Sequence, residues 1–133
     1  MSYAYKSKTP DYAKAYINNP KWKGSQAFGR IYVSLVMNPK FESLSVYAQN
    51  LFFRILLHCC TSGDYLNLSC VYPKSEIKKH FDLRTFQKAR EELLTAGFIR
   101  QKRTTARGQR ILYRLSSNWY KYNGEVPIEE RYY

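Results

Sequence analysis

The strongest pattern along the chain is a stripe of apolar residues at helical spacing that follows Ser45. Ser45 suits the N-cap position of a helix, and the run Thr61-Ser62-Gly63-Asp64 is expected to end it. Because residues three and four apart share one face of a helix, the segment is predicted to form a long helix with one broad buried face. Its inward positions are Ala48, Leu51, Phe52, Ile55, Leu56 and Cys59.

Two further helices are predicted downstream, joined by a tight connection. Pro73 opens the first, of about two turns, in which Ile77 and Phe81 share a face. Asp82 is expected to cap the second through the amide near Thr85, and Gly97 suits the left-handed position after its end. The inward positions of this last helix are predicted to be Leu83, Phe86, Ala89, Leu93 and Leu94.

Alternating apolar and polar residues indicate strands in the remaining segments. Residues 28–37 are predicted to form a strand or an extended lead-in, and residues 65–72 a short strand with Leu66 among its inward residues. Residues 98–103 and 110–116 form the two sides of a hairpin around a basic loop. The expected order is therefore helix, strand, helix, tight turn, helix, strand, loop, strand, which predicts an α+β fold.

Positive charge is concentrated in two parts of the sequence. The 133 residues include 22 Lys and Arg against 10 Asp and Glu, a net charge of +12. Residues 1–30 hold six of the cations against one Asp, and residues 84–110 hold eight against two Glu. A protein with this field attracts polyanions, of which nucleic acid is the commonest.

Particular residues at the junctions of the predicted elements carry a family likeness. They are Asn38-Pro39-Lys40-Phe41, Leu44-Ser45, Ala48, Pro73, Ile77, Leu83-Arg84-Thr85-Phe86, Glu92-Leu93, Gly97-Phe98-Ile99, Tyr113, Leu115 and Trp119. In this order they resemble the winged helix-turn-helix domains of replication initiators and regulators of Gram-positive phages, plasmids and conjugative elements. The resemblance implies a three-helix core with a small antiparallel sheet and wing over residues 28–122. A basic aromatic arm (1–27) precedes that body, and a tail (123–133) follows it.

The third helix of such a domain lies in the major groove of duplex DNA. Arg and Lys suit guanine edges and Gln suits adenine. The predicted base-reading residues, opposite the buried face, are Arg84, Thr85, Gln87, Lys88 and Glu91. Phosphate contacts are expected from the second helix and the wing, at Ser75, Lys78, Lys79, Arg100, Lys102, Arg103, Thr105, Arg107 and Arg110. Arg90, at the edge of the buried stripe, is expected to contact phosphate or to pair with an acid.

The leading hypothesis is sequence-specific binding of double-stranded DNA, by a transcriptional regulator or a replication accessory or initiator protein of a mobile genetic element. One alternative is a winged-helix module for protein docking, as in replisome assembly, with the aromatic arm and the acidic tail as contact surfaces. Another is single-strand binding by the arm, whose Lys residues alternate with Tyr and Trp. The arm also suits insertion into a minor groove or a homodimer, and we favour the homodimer because paired half-sites raise specificity. The tail either packs back on the body or extends to a partner.

Catalysis, cofactors and membranes are not indicated. Cys59, Cys60 and Cys70 lack zinc-site spacing with His58 or His80, and they are a poor disulfide framework. A nicking tyrosine would need a histidine pair or an Arg/His cluster, and no glycine loop matches a phosphate-binding motif. We therefore expect a protein that is not an enzyme and takes no metal, cofactor or small-molecule substrate. The polar N-terminus and the lack of a long apolar run predict a cytoplasmic location without membrane contact.

Overall fold

The chain folds into helices and a small three-stranded antiparallel sheet, which confirms the predicted α+β class. The computed structural model describes residues 31–64, 66–102 and 111–133. The elements within them are α1 (Val33–Val36), α2 (Pro39–Glu42), α3 (Val46–Thr61), β1 (Ser69–Val71), α4 (Lys74–His80), α5 (Leu83–Ala96), β2 (Ile99–Gln101), β3 (Leu112–Leu115), α6 (Asn118–Lys121) and a 3-10 helix (Ile128–Arg131). The predicted arm and the loop of the predicted hairpin lie outside the described residues.

Helix α3 forms as the sequence predicts. The Ser45 hydroxyl accepts a hydrogen bond from the Ala48 amide at 3.1 Å, which satisfies one of the free N–H groups of the first turn. At the other end, the amides of Ser62 and Gly63 both donate to the His58 carbonyl at 2.9 Å. All six predicted inward side chains are buried, and α3 packs mainly against α5.

Helix α5 has both of its predicted ends. The Asp82 carboxylate accepts from the Thr85 amide at 2.8 Å, and Gly97 follows the helix with a φ of 94°. The predicted inward residues Phe86, Ala89, Leu93 and Leu94 are buried. The prediction that Leu83 points inward is wrong, since its side chain is 65% exposed. It shares a side of the helix with Leu94, but the body covers that side only near the C-terminal end.

Aromatic rings fill the space between the α3–α5 pair and the preceding segment. Phe41 meets Phe52 and Phe98 edge to face, with ring centroids 5.6 and 5.4 Å apart. The ring of Trp119 stacks on Phe98 at 5.8 Å. Such ring pairs are favourable beyond the area that they bury, and they join α2, α3, β2 and α6 into one core.

The sheet has the strand order β1-β3-β2 with antiparallel pairing throughout. Cys70, Tyr113 and Gln101 lie side by side across it, and the Tyr113 side chain is buried. The predicted hairpin strands are confirmed as β2 and β3 over their described residues.

The structure differs from the prediction in two segments that were expected to be extended. Residues 33–36 form the helical turn α1, because the adjacent residues Leu35 and Val36 both pack against the core, which an alternating strand does not allow. The predicted strand at residues 65–72 is confirmed only as β1, because residues 66–68 form a turn. The Asp64 carboxylate accepts from the amides of Leu66 and Asn67 at 3.2 Å each, and Leu66 is 78% exposed.

The tail packs back on the body, which was one of its two predicted alternatives. Val126 is buried, and its amide donates to the Thr95 carbonyl at 2.9 Å. The last residues run parallel to β2, where the Tyr133 amide donates to the Gln101 carbonyl at 3.1 Å. The buried Asn118 side chain donates to the Glu130 carbonyl at 2.9 Å.

Candidate nucleic-acid interface

The face of α5 that turns away from the core carries four of the five predicted base-reading side chains. Arg84, Gln87, Lys88 and Glu91 are exposed. Within the described part of the chain, no ion pair involves Arg84, Lys88 or Glu91. The structure therefore brings these side chains together and leaves their polar ends available.

Thr85, the fifth predicted base-reading residue, is instead hydrogen-bonded to the N-cap residue of α5. It is half-buried, and its hydroxyl donates to the Asp82 carboxylate at 3.1 Å while its amide donates to the same group. These hydrogen bonds hold the pKa of Asp82 below its ordinary value. Thr85 thus fixes the start of α5, and the free polar groups begin at Arg84 and Gln87.

The exposed face of α5 forms one side of an open groove of about 1000 Å³. The opposite side is formed by two segments that lie near each other in space but far apart in sequence. They contribute Lys40, Ser43, Leu44, Gly124 and Glu125.

The position of the tail along this groove depends on Lys40. Its ammonium group donates to the carbonyl oxygens of Tyr122 and Gly124, the latter at 3.2 Å. Sequence reasoning assigned no role to Lys40 and did not predict α2, whose start the Asn38 side chain caps. No local pattern indicates that Lys40 meets a segment more than 80 residues later.

Charge is divided along α5. Arg84 and Lys88 occupy its first two turns, whereas Glu91 and Glu92 lie in its second half. Lys40 and Glu125 line the groove from the other two segments. The N-terminal half of α5 is therefore its cationic half.

Helix α4 supplies the remaining predicted phosphate contacts that precede α5. Ser75 and Lys78 are exposed. The Lys79 ammonium lies 3.3 Å from the Glu76 carboxylate, but its side chain is 65% exposed. An exposed pair of this kind contributes little stability and yields readily to another anion.

Several contacts on its rear side hold α5 in place. The Glu92 carboxylate accepts from the Ser45 amide at 2.9 Å and from the Ser45 hydroxyl at 2.6 Å. The Arg90 guanidinium lies 5.6 Å from the centre of the Phe86 ring, and its charge acts on the buried Tyr113 hydroxyl. Arg90 therefore packs within the body, and among the described residues it forms no ion pair with an acid. Its contact with phosphate stays a prediction. Burial raises the pKa of Tyr113, an effect that the Arg90 charge partly offsets.

The predicted wing residues fall into three groups. Lys102 is exposed, with its ammonium 6.0 Å from the centre of the Tyr133 ring. Arg100 is turned toward the tail, where it donates to the Tyr132 carbonyl and lies 3.5 Å from the Glu130 carboxylate. The Arg100 guanidinium is thus paired with the tail within the chain, and its contact with phosphate stays a prediction. The others lie outside the described residues and are Arg103, Thr105, Arg107 and Arg110.

The cysteines lie away from this surface. Cys59 and Cys70 are buried, and the Cys70 thiol donates to the Ile55 carbonyl at 3.8 Å. The neighbouring Cys70 side chain, together with burial, raises the pKa of Cys59. Among the described residues, no three His, Cys, Asp or Glu side chains gather as a metal site would require. None of the helices in those residues has the length and apolar character needed to cross a bilayer.

Comparison with protein-family models, curated proteins and solved structures finds no match for this chain.

Proposed function

We propose that the chain is a winged helix-turn-helix protein that binds double-stranded DNA in a sequence-specific way, with α5 as its recognition helix. The observation that carries the proposal is the exposed set Arg84, Gln87 and Lys88 on the first two turns of α5. The N-terminal residues of a recognition helix are those that contact base edges. Arg and Lys donate to guanine, and Gln pairs with adenine.

The arrangement around α5 supports the same proposal. Helix α4 lies directly before it, and the Phe81 ring packs against Phe86 at 6.2 Å, so that the two helices are braced across a two-residue turn. Ser75 and Lys78 on α4 then suit backbone phosphates beside the groove. Strands β2 and β3 take the place of the wing, and Lys102 stands where its loop begins.

The charges on the exposed face of α5 indicate which half of this helix approaches the DNA in the proposed complex. Phosphates are attracted by Arg84 and Lys88 and repelled by Glu91 and Glu125. The proposal therefore assigns base contacts to the first two turns. Glu91, one turn later, suits a contact with a cytosine amino group at the edge of the site.

A role for the tail in docking a protein partner is less well supported. Its carboxylates at Glu125 and Glu130 lie 3.9 and 3.5 Å from Arg131 and Arg100. Two of the three tail carboxylates therefore have an arginine partner within the chain. Regulation or replication of a mobile genetic element is the biological setting that the family resemblance suggests for the proposed activity.

The test is a binding-site selection from random duplex DNA with the purified full chain. We expect the wild-type protein to enrich one sequence motif. The double variant Arg84→Ala/Gln87→Ala should lose that enrichment, and its affinity for the wild-type motif should fall by at least about 30-fold, because two base contacts are removed.

A charge-matched control separates base reading from the loss of a cation. Lys121 and Asn123 are exposed and do not line the groove. The variant Lys121→Ala/Asn123→Ala should therefore enrich the same motif as the wild-type protein. If the Arg84/Gln87 variant also enriches the unchanged motif, α5 does not read the sequence, and the proposal is wrong.

A further inference from the structure

The face of the sheet that turns away from the core carries two arginines side by side. Arg100 of β2 and Arg114 of β3 are paired across the two antiparallel strands, and we call them the arginine pair. The adjacent residue Tyr113 is buried in the core, so the arginine pair points to the opposite face. Like charges directly opposite each other on neighbouring strands are unfavourable. An anion between or beside them would therefore be stabilising.

The end of the tail supplies such compensation only in part. The Glu130 carboxylate lies 3.5 Å from the Arg100 guanidinium, which also donates to the Tyr132 carbonyl. Over Arg114 the tail places the Tyr133 ring, whose centre lies 4.3 Å from the guanidinium carbon. In the described part of the chain, the Nε atoms of both arginines are buried without a hydrogen-bond partner. The tail thus covers the arginine pair and leaves some of its hydrogen-bonding capacity unused.

The surroundings of the arginine pair are rich in positive charge. Two described carboxylates act on it, Glu130 and Asp64, and the Lys102 ammonium lies 6.0 Å from the centre of the Tyr133 ring. The sequence between β2 and β3 contains no acid and adds Arg103, Arg107 and Arg110. Guanidinium groups donate to phosphate in a bidentate way, so this excess of cations suits the phosphates of a nucleic-acid backbone.

The last residues of the tail are held less firmly than the part before them. Val126 is buried and anchors that earlier part. The Glu130 side chain is 44% exposed and that of Arg100 28%, and an ion pair that water reaches contributes little stability. The Tyr133 amide adds one hydrogen bond, to the Gln101 carbonyl at 3.1 Å. The end of the tail can therefore be displaced while the earlier part stays in place.

We propose that the arginine pair is a second phosphate-binding surface, and that the end of the tail covers it in the free protein. The surface is separate from the groove beside α5, since neither Arg100 nor Arg114 lines that groove. Its ligand is the backbone of duplex DNA, so the inference rests on the proposed function but not on base reading by α5. The contact between tail and arginine pair is then autoinhibitory, because it withholds two cations from the DNA.

The test is the affinity of the full chain for a short duplex that lacks the selected motif, measured over a series of salt concentrations. The double variant Glu130→Gln/Tyr133→Ala removes the carboxylate and the ring that cover the arginine pair. We expect it to bind at least about fivefold more tightly at low salt, with a log-log salt slope steeper by roughly 1–2, at about 0.9 for each added phosphate contact. Glu130→Gln alone should give a smaller gain in the same direction.

A further substitution shows whether the gain comes from the arginine pair. Adding Arg114→Gln to the double variant should reverse most of the gain in affinity and in salt slope. The same substitution in the wild-type chain should have a much smaller effect, because the tail already covers Arg114. Thermal unfolding shows which variants are folded at the temperature of the binding measurement.

The matched control is Glu129→Gln, which removes the same charge from the adjacent residue of the tail. Glu129 is exposed and has no ion pair within the described residues, so its substitution should leave the salt slope unchanged. An equal gain for Glu129→Gln and Glu130→Gln, or no gain for either Glu130 variant, would overturn the inference. A gain with single-stranded DNA but not with the duplex would also overturn it. Because the duplex lacks the motif, this inference can fail while the motif selection succeeds, and the reverse.

Discussion

The backbone at Gly97 is the point at which α5 passes into the sheet, and replacing it by alanine should destabilise the protein. Gly97 has a φ of 94°, in the left-handed region. A Cβ added there would lie 2.5 Å from the Trp119 nitrogen and 2.7 Å from the Asn118 carbonyl carbon. Both are backbone atoms, so neither can move aside as the end of a side chain would.

The expected magnitude has two parts. The left-handed conformation costs a residue with a Cβ about 1–2 kcal/mol. Moving the Trp119 backbone away also breaks its hydrogen bond to the Gly97 carbonyl, which is 3.0 Å long and contributes about 1 kcal/mol. Gly97→Ala should therefore lower the free energy of unfolding by about 2–3 kcal/mol, which for a chain of this size lowers Tm by roughly 10 °C.

Thermal and urea unfolding, followed by circular dichroism, measure this effect, and the chain offers a matched control. A Cβ on Gly124 would meet nothing within 4 Å, and Gly124 has no positive φ. Gly124→Ala should change stability by less than about 0.5 kcal/mol. If the two alanine variants unfold at the same temperature, the junction after α5 is not held as described, and the argument for a fixed orientation of α5 fails with it.

Two other predictions concern the ends of the long helices. Ser45→Ala removes the N-cap of α3 and one of the two donors to the Glu92 carboxylate, and it should cost about 1–2 kcal/mol in urea unfolding; an unchanged midpoint would contradict the proposed tie between α3 and α5. Asp82→Ala tests a pH dependence. Because hydrogen bonds from Thr85 lower the pKa of Asp82 in the folded state, the stability that its carboxylate contributes is present at neutral pH and is lost as the pH falls below about 4. The difference in stability between the wild-type protein and this variant should therefore shrink in acid, whereas a difference that stays constant with pH would contradict the capping role of the charge.

Local physical chemistry accounts for the features that the sequence predicts well. The caps at Ser45, Asp82 and Gly97 depend on hydrogen bonds or backbone angles within a few residues. The apolar periodicity of α3 and α5 depends only on helix geometry. For that reason the exposed set on α5 was also predictable, since it is the side opposite the buried residues.

The contacts of two arginines were not predicted, because their partners include residues that are distant in the chain. Arg100 was expected to face a ligand, but Glu130 and the Tyr132 carbonyl occupy it. Arg90 was expected to contact phosphate or an acid, but it packs on Phe86 and Tyr113. A local pattern shows that an arginine lies near a surface, and it does not show which segment will cover that surface.

Contacts with other elements also explain how α5, the proposed recognition helix, would be held in a fixed orientation. Each turn of α5 has an anchor on its rear side from a different element. Phe86 packs against Phe81, the residue that ends α4. Arg90 acts on the Tyr113 hydroxyl of β3, and the Glu92 carboxylate accepts a hydrogen bond from Ser45 at the start of α3. In the last turn, the Thr95 carbonyl accepts from the tail at 2.9 Å. Base discrimination requires side chains within a fraction of an ångström of their hydrogen-bonding positions, and a helix anchored at every turn can provide that precision. An isolated α4–α5 segment would lack all but the first of these anchors, so the proposed specificity belongs to the whole body and not to the helix pair alone.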